Sequence, residues 1–286
     1  MTQIKISELF FSCQGEGQYV GVPSIFLRTF GCNFTCGGFG MAAGQYSTER
    51  HAVASNIAQY DDYRSLPLVS TGCDSYASWD PRFKHLSPML TVPAIVDRMQ
   101  ELLPKGKFSR DKHLIITGGE PLLGWQKTYP GLLDEIYMRD MDLTHITFET
   151  NGSQPIDNML LLYLCEKADT HGLEVTFSIS AKLPCSGEVW AAAICPTIVK
   201  TYLEIPRNRS YFKFVVATAQ DVTDAQTAIA QYKSAGIDIP VYLMPVGGVN
   251  SVYELNERQV ADYCRDNGLR FSPRIQVPLY KNAWGT

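Results

Sequence analysis

Short apolar runs alternate with segments of helical period along most of this chain. Apolar, β-rich runs occupy 24–30, 113–117, 144–149, 175–180, 211–217, 241–244 and 269–275. Between them, apolar residues recur at helical spacing, which predicts amphipathic helices over 92–103, 130–139, 157–170, 222–235 and 255–267. Strands that alternate with helices indicate a parallel sheet, because parallel strands need crossover connections.

The number of predicted strands limits the architecture. About seven strands are too few for a closed eight-stranded barrel. We therefore predict an α/β fold, an open partial (β/α) barrel of about six to seven parallel strands. In such a fold the functional site lies at the carboxyl ends of the strands.

Two segments depart from the alternation. Residues 8–17 begin apolar and end in two glycines around Glu16, which suits a strand that leaves the core and turns beside a bound group. Residues 37–72 show no clear period, and we interpret them as a long surface insertion of the kind that serves as a functional lid. At 286 residues and 45% apolar, the chain is expected to form one catalytic domain, 1–286, with this insertion in it.

Charge and hydropathy exclude several classes of function. The net charge is −4 and no Lys/Arg cluster is present, which argues against an electrostatically driven nucleic-acid binder. No apolar run approaches the roughly 18 residues of a membrane helix, and residues 1–21 lack the pattern of a secretory leader. We therefore expect a cytoplasmic protein that acts on a small molecule, without nucleic-acid or membrane partners.

Three cysteines form the most specific chemical signal. Cys32 and Cys36 are four positions apart, and Cys73 follows after an interval of 36 residues. Three thiolates can hold three irons of a [4Fe–4S] cube and leave the fourth iron open to an outside ligand. A structural zinc site is the alternative, with His51 or His85 as the fourth ligand, and so are unrelated buried thiols. The other five are most simply free thiols in a reducing compartment, namely Cys13, Cys165, Cys185, Cys195 and Cys264.

Charged and glycine-rich motifs stand at the predicted strand ends. Arg28 lies inside an apolar strand, where a guanidinium needs an anion, either in a structural ion pair or in a ligand carboxylate. Four turns follow later strands and should lie around the opening of one cavity, and glycines in these turns allow close approach of a ligand. The turns are 117–121, 149–152, 180–182 and 244–248.

These motifs resemble a known superfamily. Cys32-x₃-Cys36 followed by a third cysteine, with Gly118-Gly119-Glu120-Pro121 on a later strand, is similar to the radical S-adenosylmethionine enzymes. Within them, the chain resembles the 7-carboxy-7-deazaguanine synthases nearly from end to end. The segments that carry this resemblance are 14–17, 23–28 leading into 31–33, 73–75, 180–182 and 274–276.

Three features differ from the family's usual pattern. The last two cluster cysteines are normally separated by two residues, with an aromatic residue just before the last, whereas Gly72 takes that place here. Ser180-Ala181-Lys182 stands where Ser-Pro-Lys is more frequent, and Gln276 stands where the family more often has histidine.

The resemblance implies a lyase of 7-deazapurine (queuosine-type) biosynthesis. Such an enzyme converts 6-carboxy-5,6,7,8-tetrahydropterin to 7-carboxy-7-deazaguanine with loss of ammonia, after a 5′-deoxyadenosyl radical has abstracted hydrogen from C6. The implied cofactors are a [4Fe–4S] cluster, S-adenosylmethionine and Mg²⁺. The implied partners are an electron donor such as flavodoxin and a second copy of the chain in a homodimer.

The resemblance also implies a set of site residues, and it assigns no catalytic side chain beyond the cluster and cofactor. Cys32, Cys36 and Cys73 would bind the cluster, and Ser75 would bind Mg²⁺. The contacts to S-adenosylmethionine would be Gly72, Cys73, Asp74, Gly119, Glu149, Ser180, Ala181, Lys182, Met244, Pro245, Val246 and Gly247. The contacts to the pterin would be Cys13, Gln14, Gly15, Glu16, Arg28, Thr117 and Gln276.

Two rival functions remain open from the sequence. A glycyl-radical activase would share the cysteines and the glycine turn, but it would not call for Gln14, Glu16 and Arg28 as pterin contacts. A zinc-binding protein without enzymatic activity is the second rival.

Overall fold

The computed structural model describes residues 2–246 and 250–286. Side chains are described throughout these ranges except over 250–256. Among the described helices, none has the length and apolar character needed to cross a membrane.

Nine strands form a single sheet in the described part of the chain. In spatial order they run β3, β1, β2, β4, β5, β6, β7, β8, β9. Strands β2 to β9, without β3, pair in parallel, whereas β1 is antiparallel to both β2 and β3. Their bounds are β1 Gln3–Cys13, β2 Pro23–Thr29, β3 Met89–Thr91, β4 His113–Gly118, β5 His145–Thr150, β6 Glu174–Ile179, β7 Tyr211–Val216, β8 Val241–Pro245 and β9 Arg270–Phe271.

The predicted fold class is confirmed. Seven parallel strands make up the main part of an open sheet, with β3 and β9 at its two edges. The predicted strands match β2 and β4 to β8 within one residue at each end. The exception is 269–275, because the strand covers only Arg270–Phe271 and the chain then turns into a short helix.

Helices connect the parallel strands. The bounds of the described helices are α1 Glu49–Ser55, α2 Val92–Leu102, α3 Tyr129–Met138, α4 Asn158–Thr170, α5 Trp190–Ala193, α6 Pro196–Tyr202, α7 Ala219–Ser234, α8 Asn250–Asp266 and α9 Gln276–Tyr280. The five predicted helical segments correspond to helices α2, α3, α4, α7 and α8. Helix α2 begins where Thr91 Oγ1 accepts a hydrogen bond from the Ala94 amide at 3.4 Å.

The main core fills the space between the sheet and these helices. Its largest fully buried side chains come from the strands and from helix faces turned toward them, such as Phe148, Phe177, Phe214 and Tyr232. Because this apolar layer covers one face of the sheet, the polar side chains of the strands lie on the other face or beyond the strand ends. That segregation leaves a polar cavity at the carboxyl ends of the parallel strands.

A second, smaller core belongs largely to residues 37–72 and the segment after them. This small core consists of Val53, Tyr63, Leu66, Val69, Tyr76, Ala77 and Phe83. Trp284 packs against it from the far end of the chain, with its ring 4.8 Å from that of Tyr63. The insertion was expected to be irregular, and it is so apart from α1 and short 3-10 turns, but it buries apolar side chains of its own.

Candidate active site

A cavity of about 270 Å³ opens at the carboxyl ends of the parallel strands. Each strand from β2 to β8, without β3, contributes at least one lining residue or a residue just beyond its end: Arg28, Thr117, Glu149, Ser180, Lys213 and Met244. The cysteine loop, residues 13–16 and residues 274–286 supply further parts of the wall. The cavity therefore lies where an open parallel sheet is expected to bind ligands.

The three predicted cluster cysteines lie together at this cavity. Cys32, Cys36 and Cys73 all line it and pack against Phe34 and Ala193. They come together because the ends of the insertion meet: the Gly72 amide donates to the Phe39 carbonyl at 2.8 Å. The 36 intervening residues thus return the chain to the side of the first two cysteines.

Hydrogen bonds fix this cysteine loop. The Glu188 carboxylate accepts from the backbone amides of Thr35 and Cys36, each at 2.8 Å. Two of the sulfurs are themselves acceptors, with the Phe34 amide 3.4 Å from Cys32 Sγ and the Trp79 indole N–H 3.3 Å from Cys73 Sγ. Such N–H donors stabilise a sulfur that carries negative charge, as a thiolate ligand does.

The environment of the thiols agrees with a cluster site. Burial raises the pKa of Cys32 to about 12 and raises the pKa of Cys36 and Cys73 as well. Buried thiolates therefore need a positive centre beside them, and soft thiolate donors select iron–sulfur clusters or zinc. The three cysteines and their N–H donors fit a [4Fe–4S] cluster with one iron left without a protein ligand.

The histidines of the zinc alternative lie away from the cavity lining. As they stand, no three His, Cys, Asp or Glu side chains in the described residues could share one metal ion, and this includes the three cysteines. A [4Fe–4S] cube has a different requirement, since each cysteine binds a different iron. His51 Nδ1 lies 2.9 Å from Arg82 Nη1, and neither His51 nor His85 lines the cavity. All eight cysteines are free of disulfides, in agreement with the expected free thiols.

The paired glycines at the end of β4 meet the cysteine loop directly. A Cβ added to Gly119 would stand 2.4 Å from the Gly31 carbonyl oxygen, and one added to Gly118 would stand 2.2 Å from the Thr29 carbonyl oxygen. Gly118 also has φ of +143°, which disfavours any residue with a side chain. The sequence suggested close approach of a ligand to these glycines. The structure shows close approach of the backbone at Thr29 and Gly31.

Glu120, the next residue, joins two strand ends. Its fully buried carboxylate accepts from the Leu122 amide at 3.0 Å, the Asn151 amide at 2.7 Å and the Thr150 hydroxyl at 2.8 Å. Burial raises the pKa of Glu120, although these hydrogen bonds oppose the rise. The residue fixes the turn after β4 against the turn after β5.

A chain of charges lines another part of the cavity; its cations, Lys213 and Arg274, are buried, and its carboxylates are partly exposed. Lys213 Nζ donates to Glu16 Oε2 at 2.7 Å and to Glu149 Oε2 at 3.0 Å. Glu16 Oε1 accepts in turn from Arg274 Nε at 3.0 Å, and Arg274 Nη2 donates to Asp74 Oδ2 at 2.7 Å. The predicted pterin contact Glu16 is thereby connected to the predicted cofactor contacts Glu149 and Asp74.

The structure shows the first of the two alternatives raised for Arg28, the structural ion pair. Its Nε donates to Glu8 Oε2 at 2.9 Å in a buried ion pair, while its Nη1 donates to Ser75 Oγ at 3.1 Å. The guanidinium also lines the cavity. Arg28 is therefore a structural ion-pair partner on one side and stands within reach of a bound anion on the other.

Ser75 could have been a helix-capping residue. It does precede a 3-10 turn, Tyr76–Ser78, but its side chain makes no capping hydrogen bond. Its hydroxyl instead accepts from Arg28 and lies 3.3 Å from Asp74 Oδ1, beside the cavity. The hydroxyl is therefore placed among polar groups that line the cavity.

Nearly all residues predicted from the sequence share this one cavity. Ala181 does not, because it is buried in the main core, and the prediction for Gly247 lies outside the described residues. The residues that do line it are Cys13, Gln14, Gly15, Glu16, Arg28, Cys32, Cys36, Gly72, Cys73, Asp74, Ser75, Thr117, Gly119, Glu149, Ser180, Lys182, Met244, Pro245, Val246 and Gln276.

Four charged residues of the site were not predicted: Glu8, Glu188, Lys213 and Arg274. Lys213 could have been found, because it interrupts the apolar strand Tyr211–Val216 just as Arg28 interrupts its own strand. Glu188 lies in an irregular segment, and no local signal distinguishes it.

Comparison with known proteins agrees with this geometry. No family model matches the chain. Curated relatives named 7-carboxy-7-deazaguanine synthase include those of Halobacterium salinarum, 27% identical over 98% of this chain and 91% of the relative, and Rhodopirellula baltica, 27% identical over 100% and 90%. That of Pyrobaculum aerophilum is 25% identical over 99% and 97%.

The fold comparison points the same way. The crystal structure of QueE from Escherichia coli matches with a TM-score of 0.53 and 18% identity, covering 94% of this chain and 93% of that one. This likeness concerns the fold alone. Together with the full-length relatives and the cavity, it confirms the resemblance of this chain to the 7-carboxy-7-deazaguanine synthases of the radical S-adenosylmethionine superfamily.

Proposed function

We propose that this chain is a radical S-adenosylmethionine lyase that converts 6-carboxy-5,6,7,8-tetrahydropterin to 7-carboxy-7-deazaguanine with loss of ammonia. The observation that carries the proposal is a single cavity lined both by three cysteines and by buried Glu16, Arg28 and Lys213. The relatives named for this activity support it over nearly the whole chain.

Cys32, Cys36 and Cys73 would hold the cluster, and Glu188 would keep their loop in place through the amides of Thr35 and Cys36. When bound, the cluster and S-adenosylmethionine supply a 5′-deoxyadenosyl radical. The protein orients the cofactor and excludes water. The side chains that would do this stand at the strand ends and in the third-cysteine segment: Gly72, Asp74, Gly119, Glu149, Ser180, Lys182, Met244, Pro245 and Val246.

The pterin would occupy the wall opposite the cysteines. The Arg28 guanidinium is suited to a substrate carboxylate, since a planar cation binds a carboxylate with directed hydrogen bonds. Burial acts to raise the pKa of Glu16, but Lys213 and Arg274 outweigh it and hold that pKa below its usual range. Glu16 is thus an ionised acceptor for substrate N–H groups at neutral pH, with Cys13, Gln14, Gly15, Thr117 and Gln276 as its neighbours around the ring.

We further propose that Mg²⁺ binds at Ser75. The hydroxyl lies between Arg28 and Asp74, and a hard cation would take it together with substrate oxygens and waters. A cytoplasmic location, a flavodoxin-type electron donor, a homodimer and a single catalytic domain with the insertion 37–72 belong to the same proposal.

An anaerobic assay tests the activity directly. Reconstituted protein, S-adenosylmethionine, a reductant and the tetrahydropterin should give 7-carboxy-7-deazaguanine and 5′-deoxyadenosine, whereas Cys73→Ala should give neither. Cleavage of S-adenosylmethionine without any change in the pterin would favour another radical enzyme, such as a glycyl-radical activase. Colourless protein without absorbance near 400 nm would favour zinc.

A further inference from the structure

Lys213, like Arg274, joins a predicted pterin contact to a predicted cofactor contact without belonging to either assigned set. Its side chain is 3% exposed and comes from β7. The ammonium lies between two carboxylates, Glu16 on the pterin side and Glu149 on the cofactor side. A fully buried lysine is expensive, so its two partners must compensate for the lost hydration.

The two carboxylates differ in what else supports them. Glu16 also accepts from Arg274 and from Gln276 Nε2 at 2.7 Å. Among the described residues, Glu149 has one partner besides the lysine, since its Oε1 accepts from Gln14 Nε2 at 3.0 Å. Tyr211 is a further titratable group close to Glu149 and Lys213. Without the ammonium, Glu16 would keep a cation beside it and Glu149 would not.

We propose that Lys213 is a positioning residue that couples the pterin pocket to the S-adenosylmethionine pocket by holding Glu16 and Glu149 in fixed positions. This inference rests on the proposed function for the assignment of the two pockets. Gln14 extends the coupling, because its side chain contacts Glu149 while its own Oε1 accepts from the Gly15 amide at 2.8 Å. A displacement of Glu149 is thus passed to the segment that carries Glu16.

Loss of the ammonium has a defined electrostatic consequence. In Lys213→Met, the partly buried Glu149 carboxylate keeps its hydrogen bond from Gln14 Nε2 but has no cation beside it. A carboxylate left without the partner of its ion pair destabilises the fold, and replacing it with a neutral amide relieves that cost.

Urea unfolding at neutral pH tests this prediction without any ligand. Lys213→Met should be less stable than the parent, by at least about tenfold in the unfolding constant, and Lys213→Met/Glu149→Gln should recover most of that loss. Lys233→Met is the matched control, since Lys233 is 57% exposed on α7, and it should match the parent. A double variant as unstable as Lys213→Met would mean that the lysine methylenes only pack, and it would overturn the inference.

Two further readouts complete the test. If Lys213→Met does not fold, recovery of folding in the double variant supports the inference and continued failure contradicts it. In the reconstituted protein at pH 8, affinities for S-adenosylmethionine and for the pterin should both fall at least about tenfold in Lys213→Met, with absorbance near 400 nm unchanged; loss of only one affinity contradicts the coupling. A parent protein that binds neither ligand would refute the proposed function, whereas the unfolding series would still decide the role of Lys213.

Discussion

Trp284 offers the sharpest test of how the insertion is attached to the site. Its indole ring packs edge-on against Tyr63, with ring centroids 4.8 Å apart, and against Tyr76 at 6.0 Å. Its N–H donates to the Leu66 carbonyl at 2.7 Å. Trp284 therefore joins the C-terminal segment to the small core. The small core lines the cavity with Val69, and the C-terminal segment lines it with Trp284.

The expected cost of removing the ring follows from these contacts. Full burial of a tryptophan in a core would make replacement by alanine cost about 3–5 kcal/mol. Trp284 is only partly buried, so a cost of about 2–3 kcal/mol is expected for Trp284→Ala. Trp284→Phe keeps most of the ring but leaves the Leu66 carbonyl without its donor, which should cost about 1 kcal/mol.

Urea unfolding followed by circular dichroism measures both variants. Leu279→Ala provides the control, because Leu279 is 61% exposed on α9 and its loss should change stability by less than about 0.5 kcal/mol. The attachment would be refuted if Trp284→Ala stayed within that range of the parent. Equal losses in Trp284→Ala and Trp284→Phe would assign the whole effect to the hydrogen bond and none to packing.

Four other predictions concern single groups. Cys73→Ala should abolish S-adenosylmethionine cleavage in anaerobic product analysis, as should alanine at either of the other two cluster cysteines, while Cys165→Ala should not. Full cleavage by Cys73→Ala would exclude Cys73 from the ligand set. Arg28→Lys keeps the charge but cannot span Glu8 and Ser75, so calorimetry should show pterin binding weakened by about 1–3 kcal/mol, and unchanged affinity with a large stability loss would leave only the ion pair. Ser75→Ala should blunt stimulation of turnover by Mg²⁺ without altering cluster absorbance, and equal stimulation in both proteins would exclude Ser75 from the metal site. Burial and His145 lower the pKa of His113 to about 4, so the folded protein should lose about 2–3 kcal/mol of stability as pH falls from 6.5 to 4, and His113→Phe should abolish that part of the acid dependence in urea unfolding.

Much of the fold could be predicted because local sequence patterns identify its strands and helices. Apolar runs of six residues or so, separated by amphipathic periods, identify parallel strands and their crossover helices without further context. The strand expected over 269–275 was too long, since residues after Phe271 turn to meet Gly15 and Gly17: the Ile275 amide donates to the Gly15 carbonyl, and the Gly17 amide donates to Ser272 Oγ. Such long-range backbone contacts leave no periodic trace in the sequence.

The site residues likewise divide into those that a local pattern identifies and those that only distant contacts bring to the site. Cys32, Glu149 and Ser180 could be placed at the cavity because they follow strand ends or sit in a recognisable motif. Glu188 could not, since its role depends on a loop about 150 positions away, and the small core around Tyr63 could not, since its residues show no regular spacing. Glu8 was missed because its partner Arg28 becomes its neighbour only through antiparallel pairing of β1 with β2.

The pairing of Glu16 with Arg274 sets the order in which the polypeptide can mature. These residues are 258 positions apart, and a ribosome adds about 5–20 residues per second, so Glu16 exists for roughly 13–52 s before its partner is made. During that interval the N-terminal strands can form, but Glu16 has at most Lys213 as its cation, and Arg274 cannot yet offset the cost of enclosing the carboxylate. The ligand pocket is therefore complete only at a late stage of biosynthesis.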